Sequence, residues 1–154
     1  MVKEQNEMEL TFDAVSENEG FARVAVAAFV TRLNPTLEEI SDVKTAVSEA
    51  VTNAIIHGYD NYYGRESGKV RLYCRTCGDV LHIEIEDRGK GIENVEQAME
   101  PLFTTRPELN RTGMGFAFME AFMDHLDVTS TPGEGTTIKM SKKLGSSSWI
   151  DCEE

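Results

Sequence analysis

Residues 48–58 read SEAVTNAIIHG and supply the last three turns of a helix that we predict to begin near Thr36 and to end at Gly58. Thr36 and Glu39 match the capping-box pattern of a helix start. Apolar residues recur along the helix at three- and four-residue steps, which indicates one buried stripe. The stripe contains Ile40, Val43, Val47, Val51 and Ala54.

Two polar residues of this helix share another face. Glu49 and Asn53 lie four residues apart, so their side chains stand together, roughly opposite the stripe of Val47 and Val51. A carboxylate beside an amide oxygen would suit Mg²⁺, and the carboxylate would be free to act as a base. A solvated helix face explains the same pair, and the helix alone leaves both interpretations open.

The composition favours one acidic domain, which we place at residues 1–145, followed by a polar tail at 146–154. The chain has 154 residues, of which 40% are hydrophobic, and its net charge is -12. Such a charge argues against general affinity for nucleic acid or for an anionic membrane surface. No apolar run approaches a membrane span and no signal peptide is visible, so we expect a cytoplasmic protein. Three cysteines, an odd number, fit a reducing compartment.

The other segments predict an α+β fold. Residues 8–14 alternate as a strand, and Ser16 with Glu19 would cap a helix over 17–33. Residues 70–86 and 126–140 predict two β-hairpins, and residues 115–125 predict a helix. The irregular stretch 93–112 indicates a short helix and a functional loop, often a lid. In the 17–33 helix we expect the inward residues to be Phe21, Val24, Ala25, Ala28 and Phe29, and we expect Arg23 to be exposed.

Asp87 is the first of the residues that indicate a ligand site. It keeps the inward parity of Ile83 and Ile85, which places a carboxylate at the core end of a strand. A lone buried carboxylate is costly unless it accepts hydrogen bonds, and an adenine amino group would supply one. Gly89 and Gly91 follow, where the absence of Cβ lets the backbone approach a planar ligand.

A second pair of glycines, Gly113 and Gly115, stands before the last helix, where free N–H groups and the helix dipole favour phosphate. In order, the chain thus has E-x-x-x-N on a helix, D-x-G-x-G after a strand, a long loop, and G-x-G at a helix start. The set resembles the GHKL ATPase superfamily. Closer still, residues 17–24, 48–59, 101–109 and 113–116 resemble the anti-sigma serine kinases of spore-forming bacteria.

This resemblance covers about residues 8–143 and implies a Bergerat-type two-layer sandwich, with a mostly antiparallel sheet, helices on one face and ATP with Mg²⁺ between them. Glu49 would be the general base, Asn53 the Mg²⁺ ligand and Asp87 the adenine acceptor. Arg23 would contact partner proteins. The remaining nucleotide-site residues implied by the resemblance are Gly89, Gly91, Thr104, Thr105, Arg111, Gly113, Gly115 and Thr136.

The resemblance also implies partners. A homodimer would bind a sporulation sigma factor of the sigma F type and phosphorylate a serine of an anti-anti-sigma protein, with ATP or ADP as the switch. Three alternatives stay open at this point. They are a stress-response kinase with other partners, a nucleotide-gated binding module without phosphotransfer, and an unrelated acidic domain whose glycines are all turns.

Overall fold

A computed structural model describes residues 5–59, 68–100 and 115–145. The elements within these ranges are β1 (Gln5–Asp13), α1 (Glu17–Phe29), a 3₁₀ turn (Thr31–Leu33), α2 (Leu37–Asn53), a π-helical continuation of α2 (Ala54–Gly58), β2 (Lys69–Cys77), β3 (Val80–Asp87), α3 (Val95–Ala98), α4 (Gly115–Phe122), β4 (His125–Thr131) and β5 (Gly135–Lys143).

The strands form one sheet in the order β1-β2-β3-β5-β4, and each neighbouring pair is antiparallel. Inward residues of the central strands, such as Leu72, Ile85 and Ile138, are at most 2% exposed. On the core side, α2 packs against both α1 and α4. The predicted two-layer α+β sandwich and both predicted hairpins are confirmed.

Helix α2 follows the sequence prediction closely. The Thr36 hydroxyl accepts a hydrogen bond from the Glu39 backbone N–H at 3.1 Å, and the Glu39 carboxylate accepts one from the Thr36 N–H at 2.8 Å. The capping box is therefore confirmed. Val43, Val47 and Val51 are fully buried, so the predicted stripe faces the core. Each such side chain contributes roughly 1.5–3 kcal/mol of burial free energy.

Helix α1 buries a face that is only partly the predicted one: Phe29 packs against the core as predicted, but Phe21 and Val24 do not. Phe21 and Val24 are 61% and 58% exposed, whereas Ala22 and Val26 are fully buried. The helix is apolar nearly all round, so its periodicity does not select a face. Close packing against α2 then favours the smaller residues. The capping prediction for Ser16 is also wrong, because its side chain makes no cap hydrogen bond and its backbone is already helical.

Within the ranges described above, no helix is both long and apolar enough to span a membrane.

Candidate active site

Asp87 ends β3 as a buried carboxylate, 4% exposed, in register with Thr136 of β5. Its Oδ1 accepts a hydrogen bond from the Gly89 backbone N–H at 2.9 Å. Burial raises the pKa of Asp87 to about 6, while backbone hydrogen bonds from Gly89 and Thr136 oppose that rise. The inward parity of Asp87 read from the sequence is confirmed, and its register partner Thr136 is also 4% exposed. A buried carboxylate of this kind would gain from one more donor, such as an amino group on a ligand.

The end of α2 docks on the loop that follows Asp87. The Lys90 backbone N–H donates to the Gly58 carbonyl at 2.9 Å. A Cβ added to Gly89 would lie 1.9 Å from that carbonyl oxygen, and one added to Gly58 would lie 2.8 Å from Asp87 Oδ1. The π-helical turn Ala54–Gly58 carries this contact, and such turns are frequent at functional sites. Close packing against Gly58 therefore requires glycine at position 89, and the sequence did not reveal this requirement.

This contact gives a stability prediction. Gly89→Ala should lower the free energy of unfolding by about 2–4 kcal/mol, because the new Cβ would force the loop away from α2. Gly20→Ala is the matched control, since nothing lies within 4 Å of its Cβ position in α1. We expect the control to be neutral or to stabilise by about 0.5–1 kcal/mol in urea titrations. Equal effects of the two substitutions would contradict the assigned contact.

Two hydroxyl groups, those of Ser130 and Thr136, lie beside the loop that follows Asp87. Ser130 accepts a hydrogen bond from the Ile92 N–H at 2.7 Å, and its hydroxyl lies 2.9 Å from the Thr136 hydroxyl. Gly91 has φ +75°, and a Cβ there would lie 2.3 Å from the Thr131 carbonyl oxygen. Ser130 was not among the site residues predicted from the sequence. Its signal was a polar residue on the inward parity of Leu126 and Val128, which are partly buried.

Tyr59 is a second residue that the sequence analysis missed. Its hydroxyl accepts from the Arg88 N–H at 2.6 Å and donates to the Lys69 carbonyl at 2.7 Å. These bonds connect the residue after α2 to the end of β3 and the start of β2. They hold Arg88, and with it the start of the Gly89 loop, at a fixed position beside Asp87.

Glu49 lies where α2 meets the start of α4. A Cβ on Gly115, the first residue of α4, would lie 3.3 Å from Glu49 Oε2. Burial raises the pKa of the Glu49 carboxyl above its ordinary value, and the negative charge of Glu19 adds to the rise. A raised pKa makes a carboxylate a stronger base. Asn53 lies one turn further along α2, toward Gly58.

Helix α2 and its π-helical continuation thus run between the two ends of the site. Glu49 stands beside α4, and Gly58 stands beside Asp87. At 1.5 Å per residue, the nine steps between them span about 14 Å. An elongated ligand that reached from Asp87 to the α4 N-terminus would lie along α2, in which Asn53 follows Glu49 by one turn. Glu49 thus lies beside Gly115 at one end of the candidate site, and Asp87, Gly89 and Thr136 lie at the other end, while their roles toward a ligand stay predictions.

Known proteins of one family are similar to this chain over most of its length. The model of the histidine kinase-like ATPase domain family matches residues 12–142. An anti-sigma F factor of Clostridium beijerinckii is 59% identical over 139 residues, covering 90% of this chain and 95% of that protein. The chain belongs to the anti-sigma F factor family of histidine kinase-like ATPase domains. An anti-sigma F factor of Anoxybacillus flavithermus is 57% identical over 140 residues, covering 91% of this chain and 94% of that protein.

Solved structures share the fold of this anti-sigma F family member at low sequence identity. The RsbU and RsbW domains of a Mycobacterium tuberculosis protein match with TM-score 0.64 at 21% identity, covering 90% of this chain and 32% of that one. The catalytic domain of histidine kinase ThkA matches with TM-score 0.53 at 14% identity, covering 90% of this chain and 98% of that one. Identities this low show the fold alone.

The remaining candidate residues fall into two groups. Thr104, Thr105, Arg111 and Gly113 lie outside the described residues, so their assignments stay predictions. Arg23 is exposed, as expected, and forms an ion pair with Glu19 at 3.4 Å, while the Ser48 hydroxyl donates to the same carboxylate.

The Mg²⁺ prediction is compatible with this site. Residues 5–59, 68–100 and 115–145 contain no cluster of three or more His, Cys, Asp or Glu side chains that could hold a metal. A nucleotide-bound Mg²⁺ does not need one, since it usually takes one or two protein oxygens beside phosphates and water. Asn53 could supply such an oxygen, and its role as the metal ligand stays a prediction.

The electrostatics of Glu49 predict a pH dependence for this family member. If Glu49 is the base, activity should fall as the pH drops through its raised pKa, because only the ionised carboxylate can accept a proton. Glu19→Gln removes the neighbouring charge, so the acidic limb should move to lower pH. Single-turnover phosphotransfer between about pH 5 and 8 measures the shift. Glu17→Gln, in the first turn of α1, is the control. Coincident profiles for Glu19→Gln and wild type would contradict the coupling.

Proposed function

We propose that the protein is an ATP-dependent serine kinase that also binds and inhibits a sigma factor of the sigma F type. One observation carries the kinase assignment: a partly buried carboxylate, Glu49, whose pKa is raised by burial, lies beside the first residue of α4, on the helix whose π-helical end meets the Asp87 loop. The sigma factor assignment is supported by relatives named anti-sigma F factors at 56–59% identity.

Different residues of the site would bind the adenine, hold Mg²⁺ and stabilise negative charge during phosphoryl transfer. Bound ATP with Mg²⁺ would supply the γ-phosphoryl group and neutralise its charge. Asp87 would accept a hydrogen bond from the adenine amino group, with Thr136 and Ser130 supporting that edge. Asn53 would hold Mg²⁺. The backbone N–H groups at the start of α4 would lie near developing negative charge.

Glu49 would complete the reaction. Its carboxylate would take the proton from the hydroxyl of a partner's serine as the serine oxygen bonds to the γ-phosphorus and the bond to the β-phosphate oxygen breaks. The products are a phosphoserine and ADP. This role requires the carboxylate to be ionised and directed toward α4, and its position beside Gly115 supports that direction.

Transfer of labelled γ-phosphate from MgATP to an anti-anti-sigma protein tests the kinase. Co-purification with sigma F, with ATP or ADP present, tests the inhibitor role. ATP binding without transfer would favour the nucleotide-gated binding module instead. Transfer to a stress-response partner in preference to the sporulation partner would favour the alternative pathway.

We also propose that the protein works as a cytoplasmic homodimer, as the family resemblance implies. Light scattering of the purified chain measures its mass in solution. A mass near the 17.2 kDa of one chain at micromolar concentration would argue against the dimer.

A further inference from the structure

Tyr59 lies at the junction between the end of α2 and the loop that follows Asp87. Its backbone N–H donates to the Ala54 carbonyl at 3.1 Å, and this five-residue spacing is that of a π-helical turn. Its ring packs against Gly68, the residue before β2. A Cβ added to Gly68 would lie 2.1 Å from a carbon of that ring. The ring is therefore held so closely that position 68 requires glycine.

Three consecutive backbone N–H groups of the loop have partners within the protein. The first, that of Arg88, donates to the Tyr59 hydroxyl at 2.6 Å. The second, that of Gly89, donates to Asp87 Oδ1 at 2.9 Å. The third donates to the Gly58 carbonyl at 2.9 Å. The turn that orients the Asp87 carboxylate is thus attached on both sides to the end of α2, through two consecutive residues.

The Tyr59 hydroxyl also ends the pairing of β2 with β3. Val70 is opposite Asp87, so the same register would place Lys69 opposite Arg88. The hydroxyl stands between these two residues, because it accepts from the Arg88 N–H and donates to the Lys69 carbonyl at 2.7 Å. Burial raises the pKa of Tyr59 above its ordinary value, so the hydroxyl keeps the proton that it donates. It takes the place of a direct N–H to carbonyl bond of the antiparallel ladder, and the chain leaves the sheet there.

We propose that Tyr59 is a positioning residue for nucleotide binding, which holds the Asp87 carboxylate in the orientation that accepts the adenine amino group. The proposal rests on the proposed ATP-dependent function, and in it Tyr59 acts through Asp87 without touching the nucleotide. Without the hydroxyl, the Arg88 N–H loses its partner or closes onto the Lys69 carbonyl. Either change rotates the peptide between Asp87 and Gly89. Hydrogen bonds weaken steeply as their geometry bends, so a rotated carboxylate binds the amino group less well.

Equilibrium binding of MgATP to four full-length proteins tests this role. They are the wild type, Tyr59→Phe, Asp87→Asn and the double variant. We expect Tyr59→Phe to weaken binding about fivefold in the wild-type background, the usual effect of one hydrogen bond. In the Asp87→Asn background the same substitution should change affinity by less than about twofold, because the group through which it acts is already altered.

A second nucleotide isolates the amino-group contact. Purine riboside triphosphate lacks the adenine amino group and therefore has nothing to donate to Asp87 at that position. Its affinity should differ by less than about twofold between the wild type and Tyr59→Phe. A fivefold loss for this nucleotide as well would indicate a general distortion of the site and would overturn the proposal.

Tyr73→Phe is the matched control. The Tyr73 hydroxyl donates to the Glu7 carboxylate at 2.6 Å, so this substitution removes the same group and a bond of equal length between β2 and β1. We expect it to leave MgATP affinity unchanged. Gly68→Ala is a second variant, because it displaces the Tyr59 ring and keeps the hydroxyl. It should weaken MgATP binding in the wild-type background and not with Asp87→Asn. Melting temperatures without nucleotide confirm that each protein is folded.

The outcomes separate the role of Tyr59 from the proposed function. Equal weakening by Tyr59→Phe in both backgrounds would make Tyr59 a general support and overturn its role through Asp87. Unchanged MgATP affinity in Tyr59→Phe would overturn that role as well, and in both cases nucleotide binding by the wild type would stand. A wild-type protein that does not bind MgATP would reject the proposed function and this proposal with it.

Discussion

Glu49→Gln should reduce the single-turnover rate of serine phosphorylation by about 10²–10⁴-fold, the usual contribution of a general base. The amide keeps the size of the side chain beside Gly115 but cannot accept the serine proton. MgATP affinity should change by less than about threefold, because no part of Asp87 or its loop is altered. Rapid-quench measurement of phosphoserine formation, with equilibrium nucleotide binding in parallel, gives both quantities.

Glu38→Gln is the matched control for that experiment. Glu38 lies in the first turn of the same helix and is exposed, so its loss changes the net charge equally without touching the site. We expect it to keep the wild-type rate. A Glu49→Gln protein with the rate of Glu38→Gln would show that serine deprotonation does not involve Glu49. The chemistry would then depend on positioning and charge neutralisation alone.

Asp87→Asn should weaken MgATP binding at least tenfold and yet stabilise the nucleotide-free protein at neutral pH. A hydrogen bond to a charged acceptor contributes about 1.5–3 kcal/mol, and the neutral amide would forfeit most of it. The free energy of unfolding of the nucleotide-free protein should increase. The native pKa of about 6 exceeds the ordinary 3.8, so the native state binds the proton more tightly than the unfolded chain does.

The sign of the pH dependence follows. Stability declines as the pH rises from about 4 to about 6, and above pH 6 the ionised Asp87 costs up to ~3 kcal/mol. Asp87→Asn removes that cost, so its advantage in free energy of unfolding should be about 1–3 kcal/mol at pH 7.5 and near zero at pH 3.5. Urea titrations at both values measure it, with Asp127→Asn on exposed β4 as control. An advantage that is equal at the two pH values would contradict the buried charge.

Capping and periodicity signals in the sequence predicted several elements of the fold and the position of Asp87. Helix α2 carries its own start signal in Thr36 and Glu39 and its own face in Val43, Val47 and Val51, so no distant contact was needed to place it. The strand alternation of β3 likewise placed Asp87 inward. These features depend on residue order and period, which the sequence displays directly.

Features that depend on distant contacts were not predictable in this way. The buried face of α1 depends on how closely the helix meets α2, and Phe21 on the outside shows that size overrode hydrophobicity there. Gly89 was interpreted as making room for a ligand, whereas its Cβ position conflicts with the Gly58 carbonyl, 31 residues earlier in the chain. Ser130 joined the site only because the β4–β5 pairing places it opposite Thr136.

Helix α2 borders both the candidate nucleotide site and a surface groove, so a movement of this helix would affect both. Its π-helical end meets the Asp87 loop, while Leu37, Ile40, Lys44, Ser48 and Glu49 line a surface groove next to Arg23 of α1. A nucleotide that shifted this helix would change the affinity of whatever occupies the groove. Thermodynamic linkage then requires the reverse effect: the occupant changes the affinity for nucleotide by the same factor. If α2 shifts in this way, a partner bound in that groove would change the affinity for nucleotide without contacting the nucleotide.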